Sequence, residues 1–457
     1  MKKKVLISIN DDIFVRNYLN TNSFLELGKI YKLFFCIKKD GVKNLKEIKK
    51  LKNLSYFSYN HKQNKYYNNF CLKYLIKNFN KTNTVLMSLK VVLNFSFFFN
   101  IFPKQNRMFN TVKASIFYCI RLLNLASYFF LYRILKLEII YKKKINQDLI
   151  KIIKKIQPDI VLVPAGGHDI GYFEIVKYCK EKKIKTCALI DNWDNLSSRI
   201  HPNPKPDKYL VWGKQSKNFG EVYQDIPKKN IHIIGTPRYE EYFKSREKKI
   251  SSMFKFKYAL FVEGFGIQEN LDILFKTINN EFETLKKKNI NLKLVYRPHP
   301  WRKNQKKINV KKFRNIVLDP QLKNFYNKGI FNNSVQPNLQ YYPSLIKNAK
   351  FIIAAPSTMV IESTIFWKKI ILLAHDKHLA FGNYSYLKNI EHFDGIVNFP
   401  NIKVCYNIDD LKHKIKFCLK SKKIDKAKID KLRNFYLHNN KLNYPKKLKN
   451  LINNIYN

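Results

Sequence analysis

Cysteine is scarce in this sequence and irregularly placed, which excludes a disulfide framework. The seven cysteines form no CxxC pair and no regular spacing. An odd, scattered set of cysteines is typical of reduced thiols in a cytoplasm. The apolar run of the basic amino terminus stops at Asn10, Asp11 and Asp12, too early for the hydrophobic segment of a signal peptide. We therefore expect a cytoplasmic protein and not a secreted one.

Acidic residues are also few. The chain has 33 Asp and Glu against 86 Lys and Arg, a formal net charge of +53. The excess is mostly Lys scattered over the whole length, among many Asn, Ile, Tyr and Phe, a profile typical of an A+T-rich coding sequence. No RNP, helix-turn-helix or zinc-finger pattern supports specific binding of nucleic acid. The charge favours anionic substrates and the anionic face of a membrane.

A long uncharged apolar run is missing as well. The two most apolar segments, residues 85–102 and 112–140, are interrupted by basic residues. A membrane-spanning helix needs about 20 nearly uncharged residues. Core helices, or helices lying on the inner face of the cell membrane, fit these segments better than spanning helices do.

The remaining pattern alternates buried strands with helices, which indicates an α/β fold with parallel sheets. At 457 residues the chain is long enough for two domains. A charged stretch at residues 239–256 lacks an apolar period and predicts the boundary. We expect two Rossmann-like domains facing a cleft, residues 1–245 with a helical insertion at about 60–142, and residues 257–457. The predicted strands are Val5–Ile9, Tyr31–Ile37, Ile160–Val163, Thr186–Ile190, Tyr209–Trp212, Ile231–Ile234, Tyr258–Val262, Lys369–Ala374 and the strands of two motifs described next.

The first motif is LKLVYRPHP, Leu292–Pro300, a strand followed at once by Arg297 and His299. Prolines on either side of His299 stop the strand and hold the guanidinium and the imidazole beside each other. The pair is suited to binding an anion. The alternative is a strand with a histidine that is satisfied inside the protein.

The second motif is FIIAAPSTMVIES, Phe351–Ser363. Pro356 ends the extended segment, and Ser357 and Thr358 stand where a helix should begin. The amino terminus of a helix binds anions through its free N–H groups and its dipole, so the motif predicts a phosphate site. An ordinary helix cap is the alternative.

Two loops of the first predicted domain carry candidate bases. Asp11 and Asp12 follow the first strand, where they serve either a site or a helix cap. The loop at residues 164–169 contains two glycines, then His168 and Asp169, which offer a base and an orienting carboxylate. A solvent-exposed turn is the alternative for this loop.

Together these residues give a resemblance to a known class. WDNLSS (193–198), VWG (211–213), GTPR (235–238), RPHP (297–300) and PSTMVIES (356–363) resemble the GT-B glycosyltransferases that build bacterial surface polysaccharides such as lipopolysaccharide and capsule. The pattern is similar to that of sialyltransferases, Kdo transferases and CDP-glycerol glycerophosphotransferases, which share an acidic-Gly motif, an HP motif and a Ser-Ser/Thr motif. The resemblance covers about residues 158–375. Val262-Glu263-Gly264 meets the acidic-Gly motif only partly, since Val262 stands at one acidic position.

This resemblance implies transfer of a sugar from a nucleotide-sugar donor to a glycan or lipid-linked acceptor. It implies donor binding by Gly213, Arg238, Glu263, Gly264, Arg297, His299, Pro356, Ser357, Thr358 and Glu362. His299 would also stabilise the leaving phosphate, whose charge grows as the glycosidic bond breaks, and Glu362 could accept hydrogen bonds from the ribose. The acceptor base would be Asp11, His168 or Asp169. Because no DxD motif is present, we expect neither a metal nor another cofactor.

Three alternatives stay open. The first is transfer of glycerol phosphate from CDP-glycerol. The second is epimerisation of UDP-N-acetylglucosamine at C2, which needs acid and base carboxylates that the sequence does not place. The third is a basic scaffold without enzymatic activity that binds a membrane or nucleic acid.

Overall fold

The structure is a computed structural model that describes most of the chain. Described are residues 2–42, 55–60, 144–164, 170–201, 204–264, 271–299, 309–322, 341–374, 390–420, 423–438 and 443–456, with a few single residues between them. These residues form two α/β units, each with one sheet whose described strand pairs are all parallel. The predicted fold class, two Rossmann-like units, is confirmed.

The sheet of the first unit has seven strands within the described residues, in the order β3-β2-β1-β4-β5-β6-β7. Their registers are parallel throughout, for example Ile7 opposite Phe35 in β2 and opposite Leu162 in β4. The strands are β1 (Lys4–Ile9), β2 (Lys32–Lys38), β3 (Ser55–Tyr59), β4 (Ile160–Pro164), β5 (Lys185–Leu189), β6 (Lys208–Val211) and β7 (Ile231–Ile233).

Helices cover both faces of this sheet, and the alternation of side chains along β1 shows why. Val5 and Ile7 point into one apolar core and Leu6 into another, since successive side chains of a strand face opposite sides. The helices described for the unit up to this point are α1 (Asp12–Phe14), α2 (Leu25–Ile30), α3 (Gln147–Ile156), α4 (Ile170–Glu181) and α5 (Lys214–Gln224). Two π-helical turns, Val15–Leu19 and Asn195–Arg199, follow soon after β1 and β5.

The sheet of the second unit has six described strands in the order β10-β9-β8-β11-β12-β13. Its strands are β8 (Tyr258–Val262), β9 (Lys293–Arg297), β10 (Ile316–Leu318), β11 (Ile352–Ala354), β12 (Ile370–Leu373) and β13 (Ile402–Cys405). Its helices are α6 (Glu240–Glu247), α7 (Leu271–Lys286), α8 (Tyr341–Asn348), α9 (Thr358–Ile365), α10 (Ile408–Leu419) and α11 (Lys426–Tyr436).

Each sheet has one point at which the strand order reverses. In the first unit the chain proceeds outward from β1 to β3 and then restarts on the other side of β1 with β4. In the second unit the same reversal falls between β8 and β11. Ligands of open α/β sheets bind outside the carboxyl ends of the strands at such a switch point, so the fold itself indicates where each unit would bind one.

The chain divides into units differently from the prediction. The division falls between Pro237 and Arg238, ahead of the predicted stretch at 239–256, and residues 436–457 return to the first unit. The cause is the last helix, α12 (Tyr444–Tyr456). Tyr444, Leu448 and Ile452 are buried in the same core as Val5, and Asn453 accepts a hydrogen bond from the hydroxyl of Tyr31 (2.7 Å).

Residues larger than glycine occupy the left-handed positions that follow several helices. The chain contains only 13 glycines, where an average sequence of this length would hold about 30. Left-handed backbone after a helix, the usual place for glycine, is occupied instead by larger residues. These are Gln157, Lys183, Asp225, Asn289 and Trp367, with φ between 48° and 61°.

Lysine side chains satisfy many of the carbonyls that these helix ends leave open. A helix terminates with up to four unbonded carbonyls and a partial negative charge, which an ammonium group neutralises. The bonds run from Lys4 to Ile156 at the end of α3 (2.9 Å), from Lys205 to Asp225 after α5 (2.6 Å), from Lys347 to Ser245 and Arg246 in α6 (2.8 and 2.9 Å), from Lys368 to Ala349 after α8 (2.7 Å) and from Lys369 to Cys418 in α10 (3.2 Å). The lysine excess therefore has a structural use.

Replacing Gln157 by glycine should stabilise the protein. Gln157 is exposed and left-handed (φ 50°), a conformation that costs a residue with a Cβ atom about 1–2 kcal/mol. Glycine avoids this cost but loses more chain entropy, so we expect a net gain of about 0.5–1 kcal/mol in urea unfolding. Lys151→Gly, at an exposed position within α3, is the control and should cost about 1 kcal/mol. Equal losses for both variants would contradict the explanation.

Candidate functional site

Three adjacent strands of the second sheet deliver the predicted motifs to one edge. Glu263 and Gly264 follow β8, His299 follows β9 and Ser357 follows β11, and β8 pairs with both neighbours. Neighbouring strands lie about 4.8 Å apart, so the ends of β9 and β11 are separated by about 10 Å. This edge includes the switch point between β8 and β11. The two motifs therefore lie on the same edge of one sheet, as the sequence predicts.

Glu263 ties the end of β8 to the loop that carries His299. Its side chain is only 2% exposed. Its Oε2 accepts hydrogen bonds from the hydroxyl of Tyr296 (2.8 Å) and from the backbone N–H of His299 (3.0 Å). The carboxylate thus fixes the position of the histidine.

His299 is a neutral imidazole in this setting. Burial and the neighbouring Arg297 guanidinium lower its pKa from 6.5 to about 4, because both disfavour a second positive charge. A neutral imidazole has one N–H donor and one acceptor nitrogen. The native state also loses stability as the pH falls below about 6.5, since the unfolded histidine binds a proton there and the native one does not until about pH 4.

Arg297 is engaged inside the unit. It is 3% exposed and ion-paired with Asp319 through Nη1. Its Nη2 donates to Gln321 Oε1 (3.2 Å), and its guanidinium lies 4.4 Å from the ring centre of Tyr342. Direct binding of a phosphate by Arg297 would require exchange of these contacts, so its donor-binding role stays a prediction. The geometry favours a positioning role at the end of β9.

The buried hydroxyl of Ser357 lies at the same edge of the sheet. Ser357 is the N-cap of α9 with extended backbone (φ −158°), yet its side chain makes no capping hydrogen bond. Its Oγ is buried and has no hydrogen-bond partner among the described residues. An N-cap serine normally bonds an N–H of the first turn. Here the hydroxyl, the half-buried Thr358 that follows and the first amides of the helix keep their capacity for an anion.

Glu362, on α9 itself, forms a buried network with Arg238. Glu362 is fully buried and ion-paired with Arg238. It also accepts hydrogen bonds from the hydroxyls of Tyr239 (3.1 Å) and Tyr242 (2.8 Å). A buried carboxylate needs such partners to offset its desolvation. The predicted contacts of both residues with the donor stay predictions, and a ribose would have to displace one of these bonds.

The candidate residues of the first unit lie in different structural settings. Asp11 Oδ1 accepts from the backbone N–H of Phe14 (2.8 Å) and caps α1, in agreement with the helix-cap alternative. His168 and Asp169 lie outside the described residues. Gly213 follows β6 and is the extended N-cap of α5.

Sequence reasoning missed two buried polar residues at the carboxyl edge of the first sheet. Asp191, just beyond β5, is 6% exposed, and Asn10, just beyond β1, is 5% exposed. Asp191 Oδ1 and Asn10 Nδ2 have no hydrogen-bond partner among the described residues. The signal was available, because Asp191 opens the polar run that follows a predicted strand, which is the same logic that located His299 and Ser357.

The apolar segments at residues 85–140 lie almost entirely outside the described residues. Of the helices that the structure describes, none is both long enough and apolar enough to cross a bilayer. Contact of these segments with a membrane surface stays a prediction.

Comparisons with known proteins give the fold and no family. No family model matches the chain, and no curated protein matches its sequence. A putative UDP-N-acetylglucosamine 2-epimerase from Listeria monocytogenes has a TM-score of 0.55 at 11% identity, over 100% of this chain and 97% of that one. The UDP-GlcNAc 2-epimerase from Methanocaldococcus jannaschii has a TM-score of 0.51 at 14% identity, over 100% and 99%. A structure of MnaA from S. aureus with UDP has a TM-score of 0.51 at 12% identity, over 99% and 97%.

At such low identity these likenesses show the fold alone, the two Rossmann-like units of the GT-B class. They give no support to the narrower resemblance to sialyltransferases and Kdo transferases.

The network around Glu362 yields a stability prediction. Glu362→Gln keeps the shape of the side chain but leaves the buried Arg238 guanidinium without its counter-charge, so we expect a loss of about 3 kcal/mol or more. Glu247→Gln is the control, because that carboxylate pairs with Arg246 on the surface and is 66% exposed. Urea unfolding of both variants checks this. A loss no larger for Glu362→Gln than for Glu247→Gln would contradict it.

Proposed function

We propose that this protein is an enzyme that binds a nucleotide-sugar donor and transfers its sugar to a glycan or lipid-linked acceptor. The observation that carries the proposal is the placement of Glu263, His299 and Ser357 on three adjacent strand ends at the switch point of the second sheet. This arrangement supplies what a phosphate leaving group needs, namely hydrogen-bond donors fixed in advance where negative charge develops.

The donors proposed for the phosphate are the Ser357 hydroxyl, the first amides of α9 and the N–H of the neutral His299. The hydrogen bond from the His299 N–H would gain strength as charge accumulates on the leaving oxygen, because hydrogen bonds to ions are stronger than those to neutral groups. The partial positive charge of the helix terminus adds to this. We propose that these groups act without a metal.

The net charge of the chain is the basis for the proposed acceptor and for the proposed location at a membrane. A net charge of +53 favours an anionic surface, and a lipid-linked acceptor is found at the cytoplasmic face of a membrane. We therefore propose peripheral attachment there, in a cytoplasmic protein of surface polysaccharide synthesis.

A second candidate is epimerisation of the sugar of a nucleotide sugar, and one observation favours it. Such an enzyme needs an acid and a base for one C–H bond, and the first unit places the carboxyls of Asp11 and Asp191 near enough to affect each other electrostatically. The solved structures of similar fold include UDP-GlcNAc 2-epimerases, which is consistent with this candidate.

One experiment separates the candidates. Thermal unfolding is followed with CMP-, UDP-, GDP-, dTDP- and CDP-linked donors, since a ligand of the native state raises the melting temperature. The donor that stabilises the protein is then incubated in D₂O with and without membrane extracts as the source of acceptor. Transfer predicts a glycosylated product only with extract, whereas epimerisation predicts deuterium in the sugar without it. A stabilising CDP-glycerol would indicate glycerophosphate transfer. If no donor stabilises the protein and its binding to anionic vesicles or nucleic acid falls steeply with salt, the scaffold alternative is supported.

His299→Ala should lower turnover about 100-fold or more, because loss of one fixed donor to a developing anion costs about 2.7–4 kcal/mol. The wild-type rate should show no loss from protonation of His299 between pH 8 and 5, since its pKa is about 4. Steady-state kinetics over this range measure both effects. His413→Ala, on the exposed side of α10, is the control. Full activity of His299→Ala would make the histidine a structural residue.

Ser357→Ala should weaken donor binding without weakening the fold. Its hydroxyl makes no cap, so the usual loss of about 1 kcal/mol for a lost N-cap should be absent. A hydrogen bond to a charged group contributes about 1.5–3 kcal/mol, so we expect KM to rise about tenfold or more, with a small change in kcat. Ser363→Ala, which loses only a bond to Met359 O within the same helix (2.7 Å), should leave KM unchanged. A melting temperature lowered by Ser357→Ala with unchanged KM would refute the assignment.

A further inference from the structure

Two arginines of the second unit, Arg246 and Arg433, approach the same carboxylate beside the carboxyl end of α9. Arg433, on α11, donates from Nη1 to Asp430 Oδ1 (2.6 Å), and Arg246, on α6, has its Nη1 3.7 Å from Asp430 Oδ2. Arg433 Nη1 also donates to the carbonyl of Thr364 in the last turn of α9 (3.2 Å). All these residues lie within the one unit, so this arginine pair is a feature of the second unit by itself.

Arg433 has one complete edge of its guanidinium without a hydrogen-bond partner. The residue is fully buried, and neither Nε nor Nη2 has a partner among the described residues. These two nitrogens direct their N–H bonds in parallel from the same edge, which matches two oxygens of one phosphate or carboxylate group. The buried Nη1 of Arg246 likewise has no hydrogen-bond partner in the described part of the chain. Because native proteins seldom leave buried polar atoms unbonded, these three nitrogens indicate a ligand.

Positive charge exceeds negative charge around the arginine pair. Asp430 is shared by both arginines, and its Oδ1 also accepts from Trp367 Nε1 (2.9 Å). Lys426, at the start of α11, adds an ammonium group 4.7 Å from the ring centre of Trp367. Another carboxylate, that of Glu247, accepts from Arg246 Nε (2.8 Å) but is 66% exposed, so solvent weakens its effect. The local charge therefore favours an anion.

Aromatic rings fix the orientation of both guanidiniums. They lie over the ring of Phe243, Arg246 at 5.4 Å and Arg433 at 5.3 Å from its centre, and Arg246 also lies 4.5 Å from the ring centre of Trp367. Stacking on a ring holds a guanidinium in place and leaves the N–H groups at its edges available. Burial and the neighbouring Arg246 lower the pKa of Arg433 and outweigh the opposing effect of Asp430. A bound anion would stabilise this incompletely compensated charge.

We propose that the arginine pair binds a phosphate group, at the end of α9 opposite to Ser357. A phosphate has about two negative charges and three strong acceptor oxygens, which suits three donors from two guanidiniums better than a single carboxylate does. The way in is the side of Asp430, whose side chain is 29% exposed. Since α9 has eight residues, its two ends are about 12 Å apart and one phosphate cannot contact both. The inference therefore goes beyond the proposed function and does not depend on it.

Thermal unfolding of the full chain in sodium phosphate, against sodium chloride of equal ionic strength, tests this site. A ligand of the native state raises the melting temperature by mass action. Arg246→Gln should weaken phosphate binding about tenfold or more, because it removes a hydrogen bond to a charged group. Arg433→Lys keeps the positive charge but lacks the paired N–H edge, and should weaken binding at least as much.

Arg314→Gln is the control, since Arg314 is an exposed arginine of the same unit. It should respond to phosphate as the wild type does. Phosphate also stabilises proteins in general by exclusion from their surfaces, so the difference between the variants and this control decides the result. If Arg433→Lys does not fold, Arg246→Gln decides alone.

Flotation with vesicles that contain phosphatidic acid distinguishes a free phosphate from a lipid headgroup. For a free phosphate, Arg246→Gln loses the response to sodium phosphate but binds vesicles as well as Arg314→Gln does. For a lipid headgroup, Arg246→Gln weakens vesicle binding more than Arg314→Gln does. If Arg246→Gln matches Arg314→Gln in both assays, the inference is overturned.

Ser357→Ala separates this site from the proposed donor site. It should keep the phosphate response that Arg246→Gln loses. If Ser357→Ala loses the response and Arg246→Gln keeps it, the phosphate binds at the donor site alone, so the inference is overturned and the proposed function stands. If nucleotide sugars fail to stabilise the wild type but Arg246→Gln still loses the phosphate response, the proposed function fails and this inference stands.

Discussion

The candidate site depends on the hydrogen-bonded pairing of β8 with β9 on one side and with β11 on the other. Parallel pairing places all three carboxyl ends on one edge, and the fully buried apolar runs of β8 and β11 keep these two strands inside the sheet. The bonds of Glu263 to Tyr296 and to the N–H of His299 then fix the loop after β9 relative to β8. If this pairing were lost, His299 and Ser357, 58 residues apart in sequence, would have no reason to be near each other.

At the opposite edge of the sheets, lysines lie beside the carboxyl ends of helices. In a parallel α/β unit the helices run against the strands, so their carboxyl ends meet the amino ends of the strands. Lys4 and Lys369, at or just before the starts of β1 and β12, bond the carbonyls there. The lysine excess thereby complements the helix dipoles at this edge, and the carboxyl edges are left to polar and titratable groups.

Much of the fold was predictable, because buried parallel strands have short runs of β-branched residues in the sequence. Tyr258–Val262 was found with its bounds. The missed strands β3, β10 and β13 have partly exposed side chains or only three residues, and their apolar pattern is accordingly weak. The edge positions of His299 and Ser357 were also predictable, since they follow from strand ends. The partners of Arg297 and Glu362 were not, because Asp319 and Arg238 approach them only through the tertiary fold.

Those partners change how an anion would be bound in a protein of such high positive charge. The two arginines that sequence reasoning assigned to donor binding are buried and neutralised by Asp319 and Glu362. The groups proposed here for the donor phosphate are neutral, namely the Ser357 hydroxyl, helix amides and an uncharged imidazole. The net charge would attract an anionic ligand before contact and so speed encounter. Salt screens this attraction beyond about 10 Å. Retention of such a ligand would depend on short, directional hydrogen bonds in a partly buried site, where screening by salt is weak. Under the proposed function, capture and chemistry would therefore be performed by different residues, with scattered lysines serving the first and a few neutral donors serving the second.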